Sequence, residues 1–217
     1  GGYGGISGIK IHGNFIGTDP TGEFDTYVNP GDLPNNGLRY GNARDGISLE
    51  SGRLASVVSN IISGNGNNGV NITQRGNDIL VKNNIIGLSK SQTKSLPNGW
   101  FNAVQAAPNN NLGPATVSTA AFNGNGVAQG SGCSLQGRDC GNVTIENNVI
   151  SSNARDGIFM SSGSGNNIVR NNYIGTNSSG TAFGNTGNGI TIFNDSNSIY
   201  TNTIANNGGS GITIMRN

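Results

Sequence analysis

Apolar residues recur along this chain at every second position, in short runs that come round again at a fixed distance. One run reads, loosely, apolar-x-apolar-x-x-Asn-x-Ile; after a gap comes Gly-Ile-x-Ile. Alternation of this kind predicts short half-buried strands, because successive side chains on a strand point to opposite faces. The first run aligns six times, on Asn14, Asn60, Asn84, Asn148, Asn172 and Asn202, with isoleucine two places on at Ile16, Ile62, Ile86, Ile150, Ile174 and Ile204. The second recurs at Gly46-Ile47, Gly69-Val70, Gly157-Ile158, Gly189-Ile190 and Gly211-Ile212, with a weaker copy at Gly126-Val127.

The spacing sets the architecture. From Asn to Gly is nine residues in three copies, and from Gly to the next Asn thirteen to fifteen in four. A turn of about 22 to 24 residues accommodates three short strands and three bends, and a chain of such turns is a solenoid. The expectation is an all-β parallel β-helix of about six rungs, one domain over 1–217, with insertions at 17–45, 87–125, 129–141 and 175–188. All six prolines lie inside the two longest insertions, away from ladders that need every N–H. Stacked rungs place Ile11, Val57, Val81, Ile145, Val169 and Ile199 in one interior column, the isoleucines after each Asn in a second, and Ile47, Val70, Val127, Ile158, Ile190 and Ile212 in a third. The six asparagines are expected to sit in left-handed bends and to hydrogen-bond from rung to rung. The glycine before each Ile is expected to supply a bend that a Cβ would obstruct. An insertion asparagine such as Asn177 is expected to tolerate loss of its amide.

The pattern resembles the right-handed parallel β-helix proteins of the pectate-lyase-like superfamily. Within it, the chain is most similar to Asn- and Gly-rich repeat proteins of bacterial surfaces. Their signature insertion is matched by Ile16-Gly17-Thr18-Asp19-Pro20-Thr21-Gly22 and by Ile174-Gly175-Thr176-Asn177-Ser178-Ser179-Gly180-Thr181. The resemblance specifies fold and leaves activity open, because lyases, hydrolases, epimerases, tailspikes, adhesins and stalks share it.

Composition narrows the partners. The chain has 37 Gly and 37 Asn among 217 residues, 11% charged residues and a net charge of +1. Without a basic stripe, nucleic acid is not an expected partner. No apolar run approaches the roughly 20 residues a spanning helix needs. Residue 1 is Gly and no leader pattern is present, so a processed chain or a fragment is expected. Cys133 and Cys140 share one loop; a local disulfide is preferred over free thiols or a metal site, and with it an extracellular or cell-surface location.

Chemistry is thin. Outward positions of the Gly-Ile-x-Ile strands are Ser48, Asn71, Ala128, Phe159, Thr191 and Thr213, then Glu50, Thr73, Ser161, Phe193 and Met215, which supplies one carboxylate where glycoside chemistry uses two. No catalytic residue is assigned on this face. Arg44-Asp45-Gly46 and Arg155-Asp156-Gly157 repeat one tripeptide three rungs apart, and an Arg–Asp pair bracing a bend is the expected role. His12 is expected on the surface. The run from Asp19 to Asp25 is oxygen-rich enough to consider Ca²⁺ but lacks a full ligand series; no cofactor is expected. Phe15, Ile61, Ile85, Val149 and Tyr173 should face outward beside the asparagines, either covered by the long loops or exposed as an interface stripe. The functional expectation is a secreted or cell-surface structural protein, non-catalytic, stacking end to end into a filament or forming part of a longer adhesin-like solenoid. The alternative is a polysaccharide lyase, epimerase or hydrolase, or a tailspike-like glycan-binding protein.

Overall fold

The computed structural model describes residues 7–27, 38–50, 53–73, 77–99, 126–129, 140–161 and 164–215. Rung one contains β1 (Lys10–His12) and β2 (Phe15–Ile16), then an antiparallel pair β3 (Thr26–Tyr27) and β4 (Leu38–Arg39) in its insertion, and β5 (Ile47–Glu50). Rung two is β6 (Ser56–Val58), β7 (Ile61–Ile62) and β8 (Val70–Thr73). Rung three is β9 (Leu80–Lys82), β10 (Ile85–Ile86) and β11 (Val127–Gln129). Rung four opens with β12 (Cys140–Gly141) and continues through β13 (Thr144–Glu146), β14 (Val149–Ile150) and β15 (Ile158–Met160). Rung five has β16 (Ser164–Gly165), β17 (Ile168–Arg170), β18 (Tyr173–Ile174) and β19 (Ile190–Ile192). Rung six is β20 (Ser198–Tyr200), β21 (Thr203–Ile204) and β22 (Ile212–Ile214).

The strands stack into three six-stranded parallel sheets. Sheet one is β1-β6-β9-β13-β17-β20, sheet two β2-β7-β10-β14-β18-β21, and sheet three β5-β8-β11-β15-β19-β22. The register puts Ile11, Val57, Val81, Ile145, Val169 and Ile199 opposite one another, and the other two columns likewise follow the alignment. Val57, Ile62, Val70, Val81, Ile86, Ile150, Ile158, Val169, Ile174 and Ile190 are 0% exposed. Burying each such aliphatic stabilises by roughly 1.5–3 kcal/mol, and each is shared between neighbouring rungs. A short fourth ladder, Ser7–Arg53–Asn77–Gly141–Gly165, runs just before sheet one.

The asparagines after sheet one form a continuous ladder. Asn84 is representative: its Oδ1 accepts from the Asn60 N–H (2.9 Å) and Nδ2 (3.0 Å). Its own N–H and Nδ2 donate to Asn148 Oδ1 (2.9 and 3.0 Å), and its second Nδ2 proton goes back to Val57 O (2.9 Å). Asn14, Asn60, Asn148, Asn172 and Asn202 continue the pattern. The left-handed residue, however, is the one before each ladder asparagine. Gly13, Ser59, Asn83, Asn147, Asn171 and Thr201 have φ of 54–70°. That bend turns the chain so that the next side chain enters the interior, where an extended backbone leaves its amide facing along the axis.

A second ladder, which the alignment does not mark, follows sheet two. Nδ2 of Asn42, Asn65, Asn98, Asn153 and Asn185 donates to Oδ1 of Asn65, Asn98, Asn153, Asn185 and Asn207 respectively, at 2.8–3.0 Å. The glycines of the Gly-Ile pairs complete this corner for a packing reason, since those of rungs one to five have no positive φ. A Cβ on Gly157 would lie 2.7 Å from Ile174 Cγ2 and 2.8 Å from the Gly189 carbonyl of the next rung.

Insertions leave at one corner on alternate rungs. Residues 18–24, 88–95 and 176–182 form three tabs of one design. In each, the second tab residue (Asp19, Ser89, Asn177) donates its N–H to Phe24, Lys94 or Thr181 O. Its own carbonyl accepts from the N–H of Gly22, Gln92 or Gly180, each at positive φ. Asn177 is therefore no tolerant loop residue. It is 7% exposed, its Oδ1 accepts from the N–H groups of Ser179 and Thr181, and its Nδ2 donates to Gln92 O of the neighbouring tab.

Tabs touch tabs across the plain rung between them. Lys90 N–H donates to Gly22 O, Ser91 N–H and Oγ donate to the Glu23 carboxylate (2.8 and 2.7 Å), and Ser178 N–H and Oγ donate to Gln92 Oε1 (3.0 and 2.9 Å). The plain rung holds the next tab from beneath. Ser63 Oγ donates to Leu88 O and accepts from Gly87 N–H; Ser151 Oγ does the same with Thr176 O and Gly175 N–H. The structural repeat is two rungs.

Asn148→Leu should destabilise by about 1–3 kcal/mol, because it leaves the buried polar partners in the rungs on either side unmatched. Asn14→Leu, at the exposed first rung, should cost less. Denaturation midpoints check this; equal losses would contradict the ladder as the source of stability.

Candidate functional site

The outer face of sheet one carries a connected charged array. His12, Val58, Lys82, Glu146, Arg170 and Tyr200 stand in register across six rungs. Glu146 is 6% exposed and is clamped from both sides. Lys82 Nζ lies 2.8 Å from Oε1; Arg170 Nη2 and Nε reach Oε2 at 2.6 and 2.7 Å. Arg170 Nη1 extends the array to the Tyr200 hydroxyl at 3.1 Å. The Lys82 hydrogen bond, with help from Arg170, holds the Glu146 carboxyl below the ordinary carboxylate range against the opposing effect of burial. Removing either cation strands a buried charge, so this cluster holds rungs together rather than offering a poised acid.

Beside it, over the left-handed corner, lies an open groove of about 340 Å³ lined by Asn147, Asn171, Asn172, Tyr173, Thr201 and Thr203. Tyr173 is 36% exposed. Amides, hydroxyls and an aromatic ring suit a neutral polyhydroxylated ligand. They offer no carboxylate or imidazole to exchange a proton at neutral pH.

Four further acidic residues, Asp19, Glu23, Asp45 and Asp156, serve turns and tabs. Asp45 accepts from Asn67 Nδ2, Asn68 N–H and Nδ2, and Asn71 Nδ2; Asp156 accepts from Asn188 N–H. The expected Arg–Asp brace is replaced by an Asp–Asn brace to the next rung, because the carboxylate points along the axis where the neighbouring turn presents N–H groups. Asp19 fills both oxygens inside its tab, with donors from Thr21, Glu23 and Phe24. Burial raises its pKa, but the Thr21 hydroxyl and those three N–H groups outweigh it and leave it lowered. Glu23 is lowered in the same way by Ser91. Among the described residues no three His, Cys, Asp or Glu side chains gather as a metal site requires. His12 is exposed and its Nε2 meets Ser56 Oγ at 2.8 Å.

The five apolar residues beside the ladder do not form one exposed stripe. Phe15 and Tyr173 are exposed at 40% and 36%, Ile85 is half-buried, and Ile61 and Val149 are buried. The tabs break the stripe: Lys90 of the second stands over the Phe15 ring at 5.4 Å, and Lys94 over Phe24 at 3.8 Å. Cys133 lies outside the described residues, so the expected disulfide with Cys140 does too.

Residues 102–217, more than half of the chain, match the family model described as right handed beta helix region. The chain belongs to that family, and its three parallel sheets are the coil that the sequence resemblance implies. No curated protein and no solved structure matches it.

The lowered pKa of Glu146 implies acid sensitivity. Its contribution to stability is complete above the ordinary glutamate value of 4.5 and is lost as pH falls through the lower folded value. Glu146→Gln should lower Tm at pH 7 and flatten the decline of Tm below pH 4.5, with Asp19 and Glu23 supplying what slope remains. Parallel Tm–pH curves for the two proteins would show that the clamp contributes nothing.

Proposed function

We propose that the chain is a non-catalytic structural solenoid of a secreted or cell-surface protein, stacking end to end into a filament or forming part of a longer solenoid. The observation that carries this reading is the change of exposure within one column. Ile190 and Ile192 are 0% and 4% exposed, whereas Ile212 and Ile214, their partners one rung on, are 44% and 79% exposed. A further rung laid on β22 would bury them as the internal rungs are buried. The engagement of Asp19, Glu23, Asp45, Glu146 and Asp156 in turns, tabs and the clamp supports a structural role for the acids.

Sedimentation and electron microscopy test the assembly: concentration-dependent, rod-like oligomers are expected, and a monomer at high concentration refutes it. Glu50→Gln, His12→Ala and Asp156→Asn should each leave any polysaccharide-cleaving activity unchanged. A loss of about 100-fold or more in a folded variant favours an enzyme.

The groove at Tyr173 favours a second reading, a glycan-binding surface. Titration with neutral oligosaccharides should then show binding that Tyr173→Ala abolishes.

A further inference from the structure

The second asparagine ladder carries a chemical liability that the fold itself imposes. On rungs two and three its members are followed by glycine, as Asn65-Gly66 and Asn98-Gly99. Packing leaves no choice at either glycine. A Cβ on Gly66 would run into the Ala43 carbonyl of the rung behind, and Gly99 has a φ of 94°, which side chains rarely tolerate. Asparagine is a labile residue, and a following glycine makes it most so, because no side chain hinders the next backbone nitrogen from reaching the amide. In that reaction the glycine nitrogen bonds to the asparagine Cγ, and Nδ2 leaves as ammonia, taking the proton that the glycine nitrogen gives up. Water then opens the cyclic imide at either carbonyl, leaving aspartate or an isoaspartate whose main chain runs through the former side chain.

In the coil both reacting nitrogens are engaged. Gly66 N–H donates to Asn42 O at 2.7 Å and Gly99 N–H to Asn65 O at 2.8 Å, so each nucleophile is held on a carbonyl of the rung behind. The leaving group is held as well. Asn65 Nδ2 donates to Asn98 Oδ1 (3.0 Å) and Ile16 O (3.2 Å), and Asn98 Nδ2 donates to Asn153 Oδ1 and Ile62 O (both 3.0 Å). Both asparagines are 0% exposed and both glycines are buried, which keeps water and base away.

We propose that Asn65 and Asn98 are silent deamidation sites: inert while the rungs are stacked, reactive once they separate, and unable to rejoin the ladder after reaction. An aspartate at 65 has no proton to give to Asn98 Oδ1 or Ile16 O, and it would bury a charge among acceptors. An isoaspartate adds a main-chain carbon to the corner and displaces the strand that follows. A coil that stays open long enough is thereby marked and does not close again. Both sites lie on internal rungs and depend on nothing beyond either end of the chain.

Site-resolved mass spectrometry tests the protection. The protein is held at mildly alkaline pH, once folded and once in denaturant, and loss of each amide is followed with time. Deamidation at Asn65 and Asn98 should be about 100-fold or more slower in the folded protein, since only the opened fraction reacts. Equal rates overturn the protection. Asn153, a ladder member followed by Ala154, should keep its amide longer than either in the unfolded chain; equal loss there overturns the role given to glycine. Diluting the aged protein out of denaturant then separates molecules that coil from those that do not. The uncoiled fraction should be enriched about tenfold in modification at Asn65 or Asn98, the effect of leaving buried partners unmatched. The same level in both fractions overturns the lock. Asn65→Asp and Asn98→Asp imitate the product directly and decide the lock where refolding is incomplete. A Tm well below that of the original, or no folding at all, is expected, and variants that melt with the original overturn it.

Discussion

The amide-to-amide hydrogen bond between asparagines on successive rungs is the constraint on which the rest of the coil depends. A turn of about two dozen residues buries only a few aliphatics, too few to order its own backbone against the roughly 1–2 kcal/mol lost per residue. The corners where strands change direction also leave N–H and C=O groups that no sheet satisfies. An asparagine at the corners after sheets one and two solves both problems. Its oxygen takes two donors from one side, its nitrogen serves both sides, and the corner becomes as fully bonded as the strands. Alignment of every bond along one axis lets neighbours polarise one another, so an internal link is stronger than an isolated pair.

With the corners held, the surface is free to vary, and it varies on a two-rung period. Tabs leave at the corner after sheet two on rungs one, three and five, and plain rungs supply the serine that seats them. Stacking the tabs on each other gives the polar loops partners of their own. It also explains why Phe15 and the residues beside it are partly hidden. The same logic places the acids. Asp45 and Asp156 finish turns, Asp19 finishes a tab, and Glu146 sits between two cations because a carboxylate that far from water must be paired.

Most of the coil was legible in the amino-acid sequence. The Asn-x-Ile and Gly-Ile-x-Ile spacings determined three parallel sheets, the register of all three interior columns and the outward row from His12 to Tyr200, because period-two alternation and a near-constant turn length admit one stacking. The second asparagine ladder was half legible. Asn65, Asn153 and Asn207 each follow a column isoleucine by three residues, but in the tabbed rungs an insertion displaces the partner to Asn42, Asn98 or Asn185, and spacing no longer marks it.

What the tertiary structure alone decided is whatever depends on contact across rungs rather than on order within one. The left-handed residue precedes the ladder asparagine, because the side chain can enter the coil only after the bend. Asp45 and Asp156 bond to asparagines of the next turn, although arginine is their neighbour in the chain. Asn177, an insertion residue by sequence, is a buried tab residue because the tab beneath it supplies Gln92. Glu146 is one variable position among six until the fold brings Lys82 and Arg170, 64 and 24 residues away, to its two sides. A solenoid writes its core in local spacing, but its polar contacts lie one rung apart in space and a whole turn or more apart in sequence, where no local pattern records them.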